Sequence, residues 1–375
     1  MGSRIIGVGS ALPELVVTNN DLSQFVETDD EWITTRTGIH ERHIAIEETT
    51  TSLGLSAARR ALGQETGGWC AQETPIDPES VDLIIAMSVS PDMVVPSQAA
   101  LYKAQLGATN AVAYDLNAAC AGCVYGMDTA ASLLELSALQ RLLAQIPAPQ
   151  AANQVANQVS NQAAALHMAH RNVYKRALII GADCMSRVTD WTDRATCVLF
   201  GDGAGAVVLE WQDNECGVLA SRLVNIDDVK EALNLPNTFD TSTFPFADLS
   251  FVKPDDVLEK RSITMKGAAV FKFSTKVMAS CVREVLERAD MTIEDVDLIV
   301  PHQANERIIA SAMKKLDLPL DKIHLTIGTV GNTSASSALI ALADAHVQGK
   351  ITEGMLVCMV GFGGGLTAGA VLFRA

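Results

Sequence analysis

The 375-residue chain has no run of the roughly 18 uncharged apolar residues that a membrane-spanning helix needs, so no membrane is expected among its partners. Basic residues are in deficit: 28 Lys and Arg stand against 44 Asp and Glu, a formal charge of −16. A surface of that sign argues against nucleic acid as a partner, because phosphates need cations. The eight cysteines, at 70, 120, 123, 184, 197, 216, 281 and 358, lack the spacing of a disulfide framework. Several sit in apolar runs and read as reduced thiols of a cytoplasmic protein. Cys120 and Cys123 form a Cys-x-x-Cys with no second pair at zinc-like spacing. His167 and His170 adjoin no Cys or acidic cluster, so no metal is implied. The opening residues lack a signal-peptide pattern, and Ile6 stands where a myristoylation motif needs Ser or Thr; no leader or lipid is expected.

What the chain does have is apolar material, 48% of residues against 19% charged, enough for a large core. Strand-like runs alternate with helical stretches in both halves, which favours an α/β architecture. Residues 81–85, Val-Asp-Leu-Ile-Ile, are echoed by 296–300, Val-Asp-Leu-Ile-Val. Residues 204–209, Ala-Gly-Ala-Val-Val-Leu, are echoed by 368–373, Ala-Gly-Ala-Val-Leu-Phe. The chain therefore reads as a duplication, with halves at 1–222 and 223–375. The first half carries extra residues. The clearest are at about 137–166, low in charge and rich in Ala, Gln and Asn, and are expected to form a surface excursion. Residues 222–260 read as an irregular crossing between the halves.

Residues 115–128, Asp-Leu-Asn-Ala-Ala-Cys-Ala-Gly-Cys-Val-Tyr-Gly-Met-Asp, organise the rest. Cys120 sits where a strand turns into a helix, among small neighbours that leave room for a substrate. A helix N-terminus favours thiolate over thiol, although a cysteine in such a place is ordinarily a small buried apolar residue. Two later stretches change that balance. His302 ends the strand-like run at 296–305, and Asn332 lies in the loop at 328–337 before an Ala/Leu-rich helix. Cys, His and Asn, each at a strand-to-helix junction, make a nucleophile with two polar helpers. Trp32 and Arg36 are one helical turn apart, and such a pair can stack on an adenine and neutralise a phosphate. The glycine clusters at 201–205 and 361–365 each run into a strand rather than a helix, which excludes a dinucleotide fingerprint.

Six blocks in order then carry a family resemblance: Asp30-Glu31-Trp32-Ile33 with residues 35–39, Ala118-Ala119-Cys120-Ala121-Gly122, residues 200–205, Pro301-His302-Gln303-Ala304-Asn305, Gly331-Asn332-Thr333-Ser334, and Phe362-Gly363-Gly364-Gly365. Over nearly its whole length the chain resembles the beta-ketoacyl-acyl-carrier-protein synthase III family. The resemblance implies the thiolase fold, a duplicated five-layer αβαβα sandwich with the active site between the halves. It implies Cys120, His302 and Asn332 as the catalytic set. The N–H groups of Gly364 and Cys120 would form an oxyanion hole, with Phe362 beside the cysteine. Coenzyme A would be held by Trp32, Arg36, Arg194, Phe271 and Asn305, and Ala268 stands where relatives often have Asn. A carrier protein would dock on Lys272, Arg307, Lys314 and Lys315, with Gln303, Ala304, Asn305 and Glu306 adjoining. The implied reaction is decarboxylative condensation of an acyl-CoA primer with malonyl-acyl carrier protein, starting fatty acid biosynthesis. A homodimer is expected, with no metal or redox cofactor and the coenzyme A thioester as substrate. Val95, where some acetyl-using relatives carry Phe, implies a longer or wider primer pocket. Three alternatives remain: a related acyltransferase or quinolone- or polyketide-type condensing enzyme, a non-catalytic synthase partner, or a redox protein using Cys120 and Cys123. The intact trio argues against the non-catalytic partner.

Overall fold

A computed structural model describes residues 2–144, 172–213, 216–228, 232–236 and 262–375. The first half supplies strands β1 (Gly2–Ala11), β2 (Leu15–Thr18), β3 (Glu41–Ile44), β4 (Gly68–Cys70), β5 (Leu83–Met87), β6 (Val112–Asp115), β7 (Arg176–Cys184) and β8 (Asp202–Gln212). Six of them form one sheet in the order β4-β1-β8-β7-β5-β6. The second half supplies β9 (Gly217–Asn225), β10 (Leu233–Asn234), β11 (Thr264–Met265), β12 (Leu298–Pro301), β13 (Leu356–Gly363) and β14 (Thr367–Arg374). Its sheet has the order β12-β13-β14-β9. The run β12-β13-β14-β9 repeats β5-β7-β8-β1: a parallel pair first, then two antiparallel pairings. The two sequence echoes fall on β5 with β12 and on β8 with β14, equivalent places in the two sheets.

The main helices are α1 (Asp30–Thr37), α2 (Thr50–Ala61), α3 (Gln98–Leu106), α4 (Gly122–Ala144), α5 (Gly267–Arg288), α6 (Glu306–Lys314) and α7 (Ser337–Val347). Side chains alternate across each strand, and here both faces are buried. Ile85, Ile179 and Val207 of the first sheet meet Val124, Met127 and Leu134 of α4 and Leu339 and Leu342 of α7. Val300, Met359 and Val371 of the second sheet close the same cluster from the other side. The opposite face of the first sheet, with Leu178, Ile180 and Val208, packs on Ala57, Ala58 and Ala61 of α2. The opposite face of the second, with Cys358, Val360 and Ala370, packs on Val282 of α5 and Ile309 of α6. The layers are α, β, α, β, α, as the resemblance implies. Helices buried between two sheets have no polar face to display, which is why α4 and α7 are rich in Ala and Leu. Close packing also selects glycine: a Cβ on Gly126 would stand 2.7 Å from the Met87 sulfur.

Two boundaries differ from the sequence reading. β9 already pairs with β14, so the first half ends before Gly217 rather than at 222. α4 continues through Ala144, so the first residues of the expected excursion are helix, extended by the same apolar pattern. The remainder of that excursion, His167, His170 and most of the irregular crossing lie outside the described residues. Among the described residues no helix is long and apolar enough to cross a membrane. None of the described His, Cys, Asp and Glu residues form a group of three or more that could hold a metal ion.

Candidate active site

β6 ends at Asp115, whose carboxylate accepts the Gln98 and Ala99 N–H groups of α3 at 2.8 and 2.7 Å. The chain then turns through Ala119, φ 47°, an uncommon conformation for a residue with a Cβ. Local bonds hold the turn. Asn117 Oδ1 accepts the Ala119 N–H at 3.0 Å, and Thr367 of β14 donates to the Ala118 carbonyl at 2.9 Å. The second half approaches so closely that a Cβ on Gly363 would stand 2.6 Å from the Cys120 nitrogen, so that position needs glycine. Cys120 is 7% exposed, and its Sγ lies 3.4 Å from Ser334 Oγ.

Burial pushes the Cys120 thiol up to about 11, although the Ser334 hydroxyl pulls the other way. The resting form is therefore thiol, contrary to the thiolate expected from the helix end. Desolvation is the largest cause of the shift, and the sequence displays the helix but not the burial. Cys123 is fully buried behind it with its thiol pushed up to about 12, as a small apolar substitute should be. Among the described residues no disulfide joins any of the cysteines.

His302 follows β12 directly. Its Nδ1 lies 2.5 Å from Ser337 Oγ, and its ring meets Phe362 edge-to-face at 5.2 Å between centroids. Burial pulls the imidazole down to about 3, so the ring is neutral at ordinary pH. Asn332 belongs to the second half but is held by the first. Its N–H donates to the Leu199 carbonyl at 2.9 Å, and its carbonyl accepts the Gly201 N–H at 3.1 Å. Its side-chain Oδ1 accepts the Ser334 N–H at 2.9 Å, which leaves Nδ2 free to donate. The Phe-Gly-Asp-Gly block at 200–203 meets Asn332 through this contact. Asp202 is fully buried and accepts Ala45 N–H, Ser186 N–H and Ser186 Oγ, which fixes the strand that carries Gly201.

Asp183 escaped the sequence reading. It is fully buried at the end of β7 and accepts bonds from Ser88 Oγ, Val89 N–H, Ser90 N–H, Ser90 Oγ and the Ala335 N–H. It thus ties the segment after β5 to the loop that touches Cys120. The available signal was an acid inside the apolar run 176–184, Arg-Ala-Leu-Ile-Ile-Gly-Ala-Asp-Cys.

Cys120, His302, Asn332 and Phe362 line one cavity of about 210 Å³, whose outer wall includes Trp32, Arg36, Phe271 and Asn305. The Trp32 ring is flanked by two guanidinium groups, Arg36 at 4.4 Å and Arg194 at 4.7 Å from its centroid. Asn305 Nδ2 donates to the Arg36 carbonyl at 3.0 Å, tying α6 to α1. A second cavity, about 430 Å³, also reaches Cys120. Gly364, Ala119 and Ser334 line it beside the thiol, and Val89, Met185 and Leu235 give it an apolar wall.

The residues expected to dock a carrier protein divide. Lys272, Glu306, Arg307, Lys314 and Lys315 are exposed on α5 and α6 or at the C-cap of α6; Phe271 lies on α5 and Asn305 caps the start of α6. Gln303 and Ala304 are buried, at 1% and 8% exposure, and cannot face a docked protein. The Gln303 amide donates to the Pro301 carbonyl at 2.7 Å and accepts the Thr326 and Ile327 N–H groups at 2.9 and 3.1 Å. Ala304 lines the catalytic cavity instead. Lys315 Nζ donates to the Thr275 carbonyl and hydroxyl at 3.1 and 3.2 Å, so its ammonium joins α6 to α5. Val95 is 84% exposed and is absent from the walls of both cavities.

Comparison with known proteins agrees with this geometry. Residues 286–375 match the family model described as 3-oxoacyl-[acyl-carrier-protein (ACP)] synthase III C terminal, and residues 154–225 match 3-oxoacyl-[acyl-carrier-protein (ACP)] synthase III. The chain is 39% identical over 370 residues to the beta-ketoacyl-[acyl-carrier-protein] synthase III of Clostridium acetobutylicum, covering 99% of this chain and 98% of the relative. It is similar to the solved 3-oxoacyl-[acyl-carrier-protein] synthase III from Aquifex aeolicus VF5, with a TM-score of 0.80, 39% identity and 100% of both chains covered. The priming beta-ketosynthase from the R1128 polyketide biosynthetic pathway gives a TM-score of 0.80 at 29% identity, covering 100% of this chain and 96% of that one.

Proposed function

The chain belongs to the 3-oxoacyl-[acyl-carrier-protein] synthase III family, and from that premise we propose how its own residues carry out the reaction. It is a condensing acyltransferase that joins an acyl-CoA primer to malonyl-acyl carrier protein, releasing coenzyme A and carbon dioxide and starting fatty acid synthesis. The observation that carries the assignment of roles is the single cavity shared by Cys120, His302 and Asn332, with Trp32 and Arg36 in its outer wall.

Cys120 Sγ gives up its proton and bonds to the thioester carbonyl carbon. The carbon–sulfur bond to coenzyme A breaks, and the departing thiolate takes up the proton that Cys120 gave up. The Gly364 and Cys120 N–H groups stabilise the oxyanion in between. The malonyl thioester then enters, and His302 and Asn332 Nδ2 donate to its carbonyl oxygen. The bond to the carboxylate breaks, its electron pair forms the enolate, and carbon dioxide leaves. The enolate carbon attacks the acyl carbon and expels the Cys120 thiolate. No step exchanges electrons with the protein, and hydrogen-bond donors suffice for the charge that develops, so no metal or redox cofactor is proposed. Incubation with acyl-CoA and malonyl-carrier protein should yield 3-oxoacyl-carrier protein; carbon dioxide without that product would contradict the assignment.

A protein of net charge −16 must bind an acidic carrier through a local basic patch. Exposed Lys272, Arg307 and Lys314 are proposed as that patch. Arg307→Glu with Lys314→Glu should raise the KM for malonyl-carrier protein about tenfold or more, while self-acylation by acyl-CoA stays near wild type. Added salt should weaken the wild-type interaction in the same direction. An unchanged KM at low salt would move the docking site elsewhere.

Met93, Val94 and Val95 are exposed consecutively, at 52%, 70% and 84%, a run that invites cover by another chain. We propose a homodimer in which this segment meets the primer pocket of the partner subunit, and a cytoplasmic location. Val95→Phe should then narrow the primer range toward acetyl, because roughly one methylene of space shifts selectivity about tenfold. The measurement is kcat/KM for acetyl-, butyryl-, isobutyryl- and octanoyl-CoA on both proteins. Strict acetyl use by the wild type, unchanged in the variant, would remove Val95 from the pocket.

A further inference from the structure

We infer that Ser337 is a positioning residue that selects which nitrogen of His302 carries the proton, an inference that rests on the enolate-stabilising role proposed for that histidine. Ser337 opens α7 and is 2% exposed. Its Oγ lies 2.5 Å from His302 Nδ1 and accepts the Gln303 N–H at 3.2 Å. Those are the partners of this hydroxyl among the described residues. A backbone N–H can only donate, so it takes up one lone pair of Oγ and leaves the hydroxyl hydrogen without an acceptor. Nδ1 is the acceptor in reach. Were Nδ1 itself protonated and donating to Oγ, the hydroxyl hydrogen would be buried with no partner, and buried donors are rarely left so. The hydroxyl therefore donates to a bare Nδ1, and the single proton of the neutral ring sits on Nε2.

The chemical consequence is direct. Nδ1 is engaged with Ser337, so Nε2 is the nitrogen left for the cavity shared with Cys120 and Asn332. In the selected tautomer it presents N–H to the enolate oxygen. In the other it would present a lone pair, which repels that oxygen. Burial keeps the ring neutral, so tautomer rather than charge decides whether His302 can stabilise the enolate. Phe362 fixes the ring plane edge-on. Asn332 is preset in the same manner, because the Ser334 N–H occupies its Oδ1 and leaves Nδ2 as the donor. Two donors are thus aimed before the substrate arrives, one by a side-chain hydroxyl and one by a backbone amide.

The test uses full-length wild type, Ser337→Ala and Ser337→Thr. Condensation and the burst of coenzyme A release are measured separately. Nitrogen NMR of the histidine rings is recorded, with His302 assigned by the signal lost in His302→Gln. In the wild type, Nε2 should show the pyrrole-type shift and Nδ1 the pyridine-type shift. Ser337→Ala should mix the two forms and lower kcat for condensation about tenfold, with the burst and the KM for the malonyl substrate little changed. Ser337→Thr, which keeps the hydroxyl, should restore both rate and spectrum. A wild-type His302 protonated on Nδ1 would overturn the inference, as would Ser337→Ala condensing at the wild-type rate. If Ser337→Ala does not fold, the wild-type spectrum decides by itself. Failure of the underlying role reads differently: His302→Ala, which removes the donor, would condense normally, whatever the tautomer.

Discussion

Cys120→Ala should lower acyl transfer from acyl-CoA by at least about a thousandfold, the largest loss expected of any single substitution. In the proposed mechanism the Cys120 thiol is the group that bonds to the acyl carbon. Cys123 is fully buried in the first turn of α4, with its thiol pushed up to about 12. The variant should still release carbon dioxide from malonyl-carrier protein, because that step is assigned to His302 and Asn332. Retention of decarboxylation would also show that the cavity had survived the change. The measurement is 3-oxoacyl product and carbon dioxide from the same reaction. Product formed at a substantial rate by Cys120→Ala would remove the nucleophile from the assignment.

His302→Ala and Asn332→Ala should show the complementary pattern. Each removes one donor to the enolate oxygen, worth roughly 3–4 kcal/mol, or about a hundred- to a thousandfold in condensation. Each should spare the burst of coenzyme A release, since acylation uses the backbone N–H groups beside Cys120. Separate roles are proposed for a His302 that burial holds neutral and whose Nδ1 is engaged by Ser337. A burst lost as completely as condensation in both variants would mean that one histidine serves both steps.

The parts of the site legible in the sequence are those set by local geometry. Cys120 and His302 each follow a strand, as expected, whereas Asn332 lies between the short helix Ile327–Val330 and the turn that leads into α7 rather than at a strand-to-helix junction. Trp32 and Arg36 share a helix at a spacing that puts them on one face. The parts that escaped depend on distant partners. Arg194 was named only through the family resemblance; that it reaches the same indole from another element is not visible in local spacing. The Ser334 hydroxyl that meets Cys120 lies in a run of small polar residues that reads as ordinary loop. Asp183 and Asp202 become intelligible only when the groups they accept from are known. Lys315 is exposed as a docking residue should be, but its bond to Thr275 of another helix could not be read from the sequence. The Cys120 ionisation was misjudged for a related reason: a helix end is visible in sequence, whereas burial is a property of the whole fold. Element order and the duplicated sheets were legible because apolar alternation and the two echoed segments are themselves sequence patterns.

The most direct measurement of the central claim is mass spectrometry of the protein after acyl-CoA alone, followed by peptide mapping and then by addition of malonyl-carrier protein. The expected result is one acyl group per chain, located on the peptide that contains Cys120 and assigned to that thiol. It should be discharged as 3-oxoacyl-carrier protein once the malonyl substrate is added. An acyl group on Cys123 or another residue, or an adduct on Cys120 that malonyl-carrier protein fails to discharge, would contradict it.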